Sequence, residues 1–208
     1  MDETKTHSNL HQDSDSRLLE RYRKGEEAAF RELVDRYKHS LYAFLRRFIN
    51  QQDIVDDVFQ ETFLQLYTSR ESFDPERPLR PWLFTIAANK AKDALRKIQR
   101  QATMSIGAMA DAGDVSQDDV VNILTSYDET PEDEVSKDET AVRVRQIITD
   151  MPENLREILL LAYFEQFSYK HMADMLSIPI GTVKSRLHTA VAYFMKKWKS
   201  GTRSDNIK

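Results

Sequence analysis

From Phe30 to Phe48 the apolar side chains fall at three- and four-residue steps: Phe30, Leu33, Val34, Tyr37, Leu41, Phe44, Leu45 and Phe48. Such steps return to one side of a 3.6-residue turn, so they predict an amphipathic helix with one buried face. A shorter helical run, "RLLERYRK", precedes it, and Gly25 marks the break. A second amphipathic helix is expected from about Asp53 to Tyr67, with Ile54, Val55, Val58, Phe59, Thr62, Phe63, Leu66 and Tyr67 turned inward. The three prolines of "SFDPERPLRP" then impose a loop, because proline lacks the amide donor and crowds the preceding turn. A third helix, "WLFTIAANKAKDALRKIQRQ", is expected from about Pro81.

Beyond Thr103 the period disappears. Up to about Thr140 the chain is rich in Asp, Glu, Ser, Gly and Thr and reads as a linker, mostly disordered when free. Within it "VVNILTSY" (Val120–Tyr127) is expected to be a transient turn, with a short local element or a sticky contact as the alternatives. Helical spacing resumes at about 138–149 and continues in "PENLREILLLAYFEQ", "SYKHMADMLS" and "GTVKSRLHTAVAYFMKKW". Leu155, Ile158, Leu159, Ala162 and Tyr163 make one stripe on the second of these. No segment alternates as a strand would. The pattern predicts an all-α chain of two small helical domains, at 16–101 and 138–200, joined by a flexible acidic linker at 102–137, with loose ends at 1–15 and 201–208.

Composition adds exclusions. There is no run of eighteen apolar residues, and the first sixteen residues are polar and acidic, so neither a membrane span nor a secretory signal is expected. The chain has no cysteine, which removes disulfides and thiolate metal sites and makes a reducing cytoplasm the simplest location. The formal charge of -4 conceals a division. Residues 1–100 carry +1, residues 101–140 carry -10 and residues 141–208 carry +5. The C-terminal end therefore admits a nucleic-acid partner, and the acidic centre is the anomaly.

Ser168 is placed to cap the helix "YKHMADML", whose Met172, Ala173 and Leu176 face inward, and a tight "SIP" connection leads into the last helix. Short helix, tight turn and longer helix make a helix-turn-helix layout. On a wheel of about 100° per residue, Val183, Leu187, Ala190, Val191, Phe194 and Trp198 gather on one side. Thr182, Ser185, His188 and Thr189 point the other way, with Lys184 and Arg186 flanking. A solvated surface would tolerate that set. A helix in the DNA major groove requires it: short donors and acceptors over base edges, cations toward both phosphate walls. His188 has no Asp, Cys or second His at ligand spacing, so no metal site is expected.

"FSYKHMADMLSIPIGTVKSRLHTA" resembles region 4 of bacterial sigma factors of the extracytoplasmic-function (ECF) group, whose helix-turn-helix reads the promoter −35 element. "PENLREILLLAYFEQFSY" resembles the preceding helix of that region. "DDVFQETFLQLY" is similar to the region 2 helix that docks on the clamp helices of RNA polymerase. That similarity implies polymerase-binding roles for Asp57, Gln60 and Glu61, with Phe63 as an apolar partner or a core residue. Independently of it, Asp57, Gln60, Glu61 and Leu64 share one helix face, where acidic groups suit a basic partner helix.

"FDPERPLRPWLFTIAANKAKDALRK" is similar to the family's −10 segment, in which a loop captures an unstacked base and the following helix lies along DNA. Residues 75–100 hold seven cations against two acids, as single-strand capture requires. The similarity implies DNA contacts at Arg80, Asn89, Lys90, Lys92, Arg96 and Lys97, with Phe73 and Arg77 in the loop and Trp82 and Phe84 either core or DNA-facing. The chain departs from the pattern in three places. Thr189 and Val191 stand where arginines are common, His171 stands where Glu is common, and Pro78 and Pro81 stiffen the loop. Fewer cations imply weaker and less salt-sensitive −35 binding.

The resemblance implies core RNA polymerase and promoter DNA as partners and allows an anti-sigma factor. No cofactor or metal is expected, and no catalytic set or nucleotide-binding loop is present in the sequence, so no enzymatic activity is expected. About 35 extended linker residues reach roughly 115 Å, more than the roughly 70 Å between elements two helical turns apart. The acidic linker either lies in the polymerase RNA channel or, in the free protein, folds back on the basic faces and suppresses DNA binding. A free-standing helix-turn-helix regulator, a helical enzyme and an interaction scaffold are the competing readings.

Overall fold

The computed structural model describes residues 14–69, 71, 73–74, 77–102 and 139–202. Among them are eight helices and no strand. Residues 1–13, 103–138 (Val120–Tyr127 included) and 203–208 lie outside the described residues, whereas Asp15 and residues 201–202, read as loose ends, belong to the first and last helices.

The first domain is built from α1 (Asp15–Arg23), α2 (Glu27–Phe48), α3 (Gln52–Thr68) and α4 (Leu79–Ala102). Ser14 caps α1, its hydroxyl accepting from the Arg17 amide at 3.3 Å. The break before α2 falls on Gly25, whose φ of +91° lies in the region that side chains avoid. Asp15 fixes α1 against α2 by pairing with Arg36 at 2.6 Å and accepting from the Tyr37 hydroxyl. Burial and that bond raise the Tyr37 pKa well above the ordinary phenol range.

Helix α4 begins at Leu79, earlier than the prolines suggested. Pro81 sits in its first turn, where the amides have no intrahelical partner to lose. Ala87, Ala88 and Ala91 are all buried on α4 and let it lie close against its neighbours. Leu33, Leu41, Phe44, Leu45, Leu66 and Phe84 fill the centre. Phe84 is thus core, while Trp82 is half-buried and packs on Phe73 with ring centroids 4.7 Å apart.

The second domain comprises α5 (Glu139–Thr149), α6 (Glu153–Tyr163), α7 (Tyr169–Leu176) and α8 (Ile180–Thr202). Its central helix departs from the single stripe read in the sequence. Leu160 and Leu161 are as buried as Ile158 and Leu159, and even Arg156 and Glu157 are buried. The cause is packing on two sides: α6 meets α7 and α8 within its own domain and α2 of the first. The two domains are therefore in contact, and α4 also touches α7.

Candidate nucleic-acid and docking faces

Three surfaces gather the residues singled out by the sequence. The first is the outer side of α8. Ser168 caps α7 as expected, accepting from the His171 amide at 3.2 Å. Ser177 adopts a left-handed φ of 52° and ends α7, its amide returning to the carbonyls of Ala173 and Asp174. Pro179 then opens α8, its carbonyl accepting from Thr182 at 2.9 Å and Val183 at 3.1 Å. Val183, Leu187, Ala190, Val191 and Phe194 are buried, so the rotation of the helix is fixed. Lys184, Ser185, His188 and Thr189 are consequently exposed, and Thr182 and Arg186 are half-exposed at the edges. Ser185 donates to the Thr182 carbonyl at 3.2 Å and Thr189 to the Ser185 carbonyl at 2.9 Å, which turns their oxygen lone pairs outward. The Lys184 ammonium lies 6.0 Å from the centre of the exposed Tyr169 ring.

The second surface is the outer side of α3. Asp57, Gln60 and Glu61 are exposed together, with Leu64 at 60% exposure beside them. Phe63 is not part of this surface. It is 7% exposed and stacks edge-on against Phe59 at 5.0 Å, so of the two roles left open for it the core role is the one it fills. Leu64 is the exposed apolar residue of this face.

The third surface is α4. Asn89, Arg96 and Lys97 are exposed, while Arg80, Lys90 and Lys92 are half-buried. Lys90 pairs with Glu61 of α3 at 3.0 Å. Gln65, Ser69, Phe73, Trp82, Asn89 and Lys90 line one recess between α3 and α4. Phe73 is buried in its wall, held partly by Arg23, which donates to the Phe73 carbonyl, and Arg77 is exposed beside Asp74 at 3.7 Å.

Sequence reasoning did not find the groups that join the domains. Arg80 pairs with Glu165 at 2.7 Å, Lys92 with Glu157 at 2.9 Å, and Arg96 with Glu153 at 3.8 Å. Arg156 donates to the Phe48 carbonyl at 2.6 Å and the Met151 carbonyl at 2.9 Å, and the Arg47 guanidinium lies 4.4 Å from the centre of the Phe164 ring. Burial lowers the Arg156 pKa. A signal did exist: Arg156 and Glu157 interrupt the apolar run of α6, and charged groups there need partners from another element.

No cluster of three or more His, Cys, Asp or Glu among the described residues is arranged to hold a metal, and no described helix is long and apolar enough to cross a membrane.

Comparison with known proteins gives the arrangement its family. Residues 33–101 match the Sigma-70 region 2 model and residues 141–193 the Sigma-70 region 4 model. The chain is 34% identical over 181 residues to the RNA polymerase sigma-H factor of Pseudomonas aeruginosa, spanning 87% of this chain and 92% of that one. It is 36% identical over 177 residues to the ECF RNA polymerase sigma-E factor of Haemophilus influenzae, spanning 85% and 91%. Its fold resembles that of CnrH, solved in complex with the cytosolic domain of CnrY, with a TM-score of 0.64 at 24% identity over 90% of this chain and 99% of that one. The chain belongs to the bacterial RNA polymerase sigma factors of the extracytoplasmic-function group.

Proposed function

We propose that this sigma factor directs promoter-specific initiation by dividing its work among the three surfaces. Asp57, Gln60, Glu61 and the neighbouring Leu64 on α3 dock on core RNA polymerase. Arg80, Asn89, Lys90, Lys92, Arg96 and Lys97 on α4 hold the opened −10 strand, with the recess beside Trp82 receiving a base. Thr182, Lys184, Ser185, Arg186, His188 and Thr189 on α8 read the −35 element. The observation that carries the reading is the fixed rotation of α8, which presents Lys184, Ser185, His188 and Thr189 outward, with Thr182 and Arg186 at the edges, while its apolar stripe is buried.

The chain contributes binding energy and no bond chemistry; the phosphodiester bonds are made by polymerase. It works where polymerase and chromosome are, in the cytoplasm, and family membership admits an anti-sigma factor as a further partner. The domain division is proposed as read above, with region 2 at 16–101 and region 4 at 138–200.

Co-elution of the purified protein with bacterial core polymerase, alongside the Asp57→Ala/Gln60→Ala variant, tests the assignment. Loss of co-elution in the folded variant supports the docking face. Unchanged co-elution removes that face from the proposal. Retardation of DNA without any polymerase binding would favour a free-standing regulator.

A further inference from the structure

Two hydroxyls in the middle of the outward side of α8 already have their protons in use. The Thr189 hydroxyl lies 2.9 Å from the Ser185 carbonyl, and the Ser185 hydroxyl 3.2 Å from the Thr182 carbonyl. A carbonyl oxygen cannot donate, so each of these bonds takes the proton of the hydroxyl. Only lone pairs remain on each oxygen, and both residues are exposed. Thr189 is branched at Cβ, and a bond to the carbonyl one turn back is among the few arrangements a helix allows it. Toward a partner in front of α8, Ser185 and Thr189 are therefore acceptors. The cations stand to the sides. The Lys184 ammonium lies 6.0 Å from the centre of the Tyr169 ring on α7, and Arg186 lines the cleft that Lys92 and Arg96 also line. His188 can both donate and accept, so by itself it favours no base.

The major groove answers an acceptor in a definite way. Adenine and cytosine each offer an exocyclic amine there, whereas guanine offers two acceptors, and thymine one acceptor and a methyl group. An oxygen left with lone pairs alone bonds to adenine or cytosine and is repelled by the carbonyl of guanine or thymine. Every base pair holds one amine, so such an oxygen chooses by strand. Exchanging A·T for C·G keeps an amine on the strand it faces. Exchanging A·T for G·C moves the amine to the other strand and sets a carbonyl before the oxygen. An arginine would choose differently, holding guanine through two acceptors at once. Ser185 and Thr189 are one turn apart, about 6 Å along the helix, against about 3.4 Å between base pairs, so the two bases lie within two steps of each other.

The geometry points to Ser185 and Thr189 as acceptors that make the −35 reader select amine-bearing bases, adenine or cytosine on the strand each one faces, at two neighbouring positions. This rests on the reading of α8 as the −35 contact and names the bases that contact takes. The Thr189 methyl group supplies the rival chemistry, packing on the methyl of a thymine. Oxygen and methyl can be removed separately, and so can the amine on the DNA.

The test uses the full chain with core polymerase to select −35 duplexes from a randomised library. The expected result is two positions, within two steps, where adenine and cytosine exchange on one strand while guanine and thymine are excluded. In the selected duplex each such adenine is replaced by purine, or each such cytosine by 2-pyrimidinone, which lack only the amine. Wild-type holoenzyme should lose about fivefold in affinity at each replacement. Thr189→Val keeps the shape and removes the oxygen, so it should bind the selected duplex about fivefold more weakly and ignore the loss of one amine. Ser185→Ala should do the same for the other, whereas Thr189→Ser, which keeps the oxygen, should remain sensitive. Wild-type affinity unmoved by removal of either amine overturns the proposal, and this arm needs no variant to fold. Amines whose loss costs the same in the wild type and in both oxygen-deleted variants are read by another group, which overturns it too. Sensitivity to uracil in place of thymine, kept in Thr189→Val and lost in Thr189→Ser, assigns the methyl group; the acceptor chemistry then falls while the −35 assignment stands. If the wild-type holoenzyme selects no −35 sequence, that assignment fails and takes the proposal with it.

Discussion

Lys90 and Glu61 join α4 to α3 at 3.0 Å, so a cation proposed for DNA is bonded to a carboxylate proposed for polymerase. Glu61 is 59% exposed and keeps its second oxygen free to engage a basic partner helix, while Lys90 is more enclosed at 27%. A partner that draws Glu61 away leaves Lys90 in need of another anion. In the proposed division of surfaces, docking and strand capture would share this one bond.

Glu61→Gln should weaken core polymerase binding several-fold in a titration of labelled protein. Its effect on melting should stay within about 1 kcal/mol, because exposed ion pairs contribute little to stability. A large loss of stability with unchanged polymerase affinity would assign Glu61 to the fold.

The two sides of α8 should separate cleanly under mutation. Leu187→Ala removes a buried side chain and should cost about 2–5 kcal/mol in chemical denaturation. Ser185→Ala and His188→Ala should leave stability within about 0.5 kcal/mol. In holoenzyme bound to a selected −35 duplex, each should relax discrimination at one base position by about 1–3 kcal/mol.

Lys184 and Arg186 are assigned to phosphate walls, and that has a signature in salt. Replacing either by Gln should reduce the slope of log affinity against log salt by about one, with little change in sequence preference. An unchanged slope would place the side chain away from phosphate.

Tyr37 predicts a response to alkali. Its folded-state pKa is raised by burial and by the bond to Asp15, whereas the unfolded phenol titrates near 10. Below about pH 10 both states keep the proton. As pH rises past that value the unfolded chain ionises and the folded one does not, so stability falls. Tyr37→Phe should flatten the decline in melting temperature between about pH 9 and 11, after allowance for its lower starting value.

Helical periodicity is sufficient for α3 and α8 because each has one side against its own domain and one toward water. It fails for α6, where Leu160 and Leu161 fall outside the stripe and yet are buried against more than one neighbour. A single-sided pattern cannot reveal a second packing partner that arrives from 100 residues away. Helix α4 starts two residues before Pro81, because proline, which reads as a stop in general, is tolerated in a first turn. Phe63 and Leu64 are adjacent, and about 100° of helix rotation separates core from docking face. The outward set on α8 is legible because its polar residues cluster opposite the apolar stripe. The pairing of Arg80, Lys92 and Arg96 was not legible, since their partners lie at Glu165, Glu157 and Glu153 across the linker.

The interdomain pairs also bear on how such a protein moves through a cell. A chromosome offers about 10⁶–10⁹ nonspecific sites, each an array of phosphates that holds any uncovered basic helix. Arg80, Lys92 and Arg96 are paired with Glu165, Glu157 and Glu153, so α4 offers that excess less unpaired positive charge than its cation count alone would give.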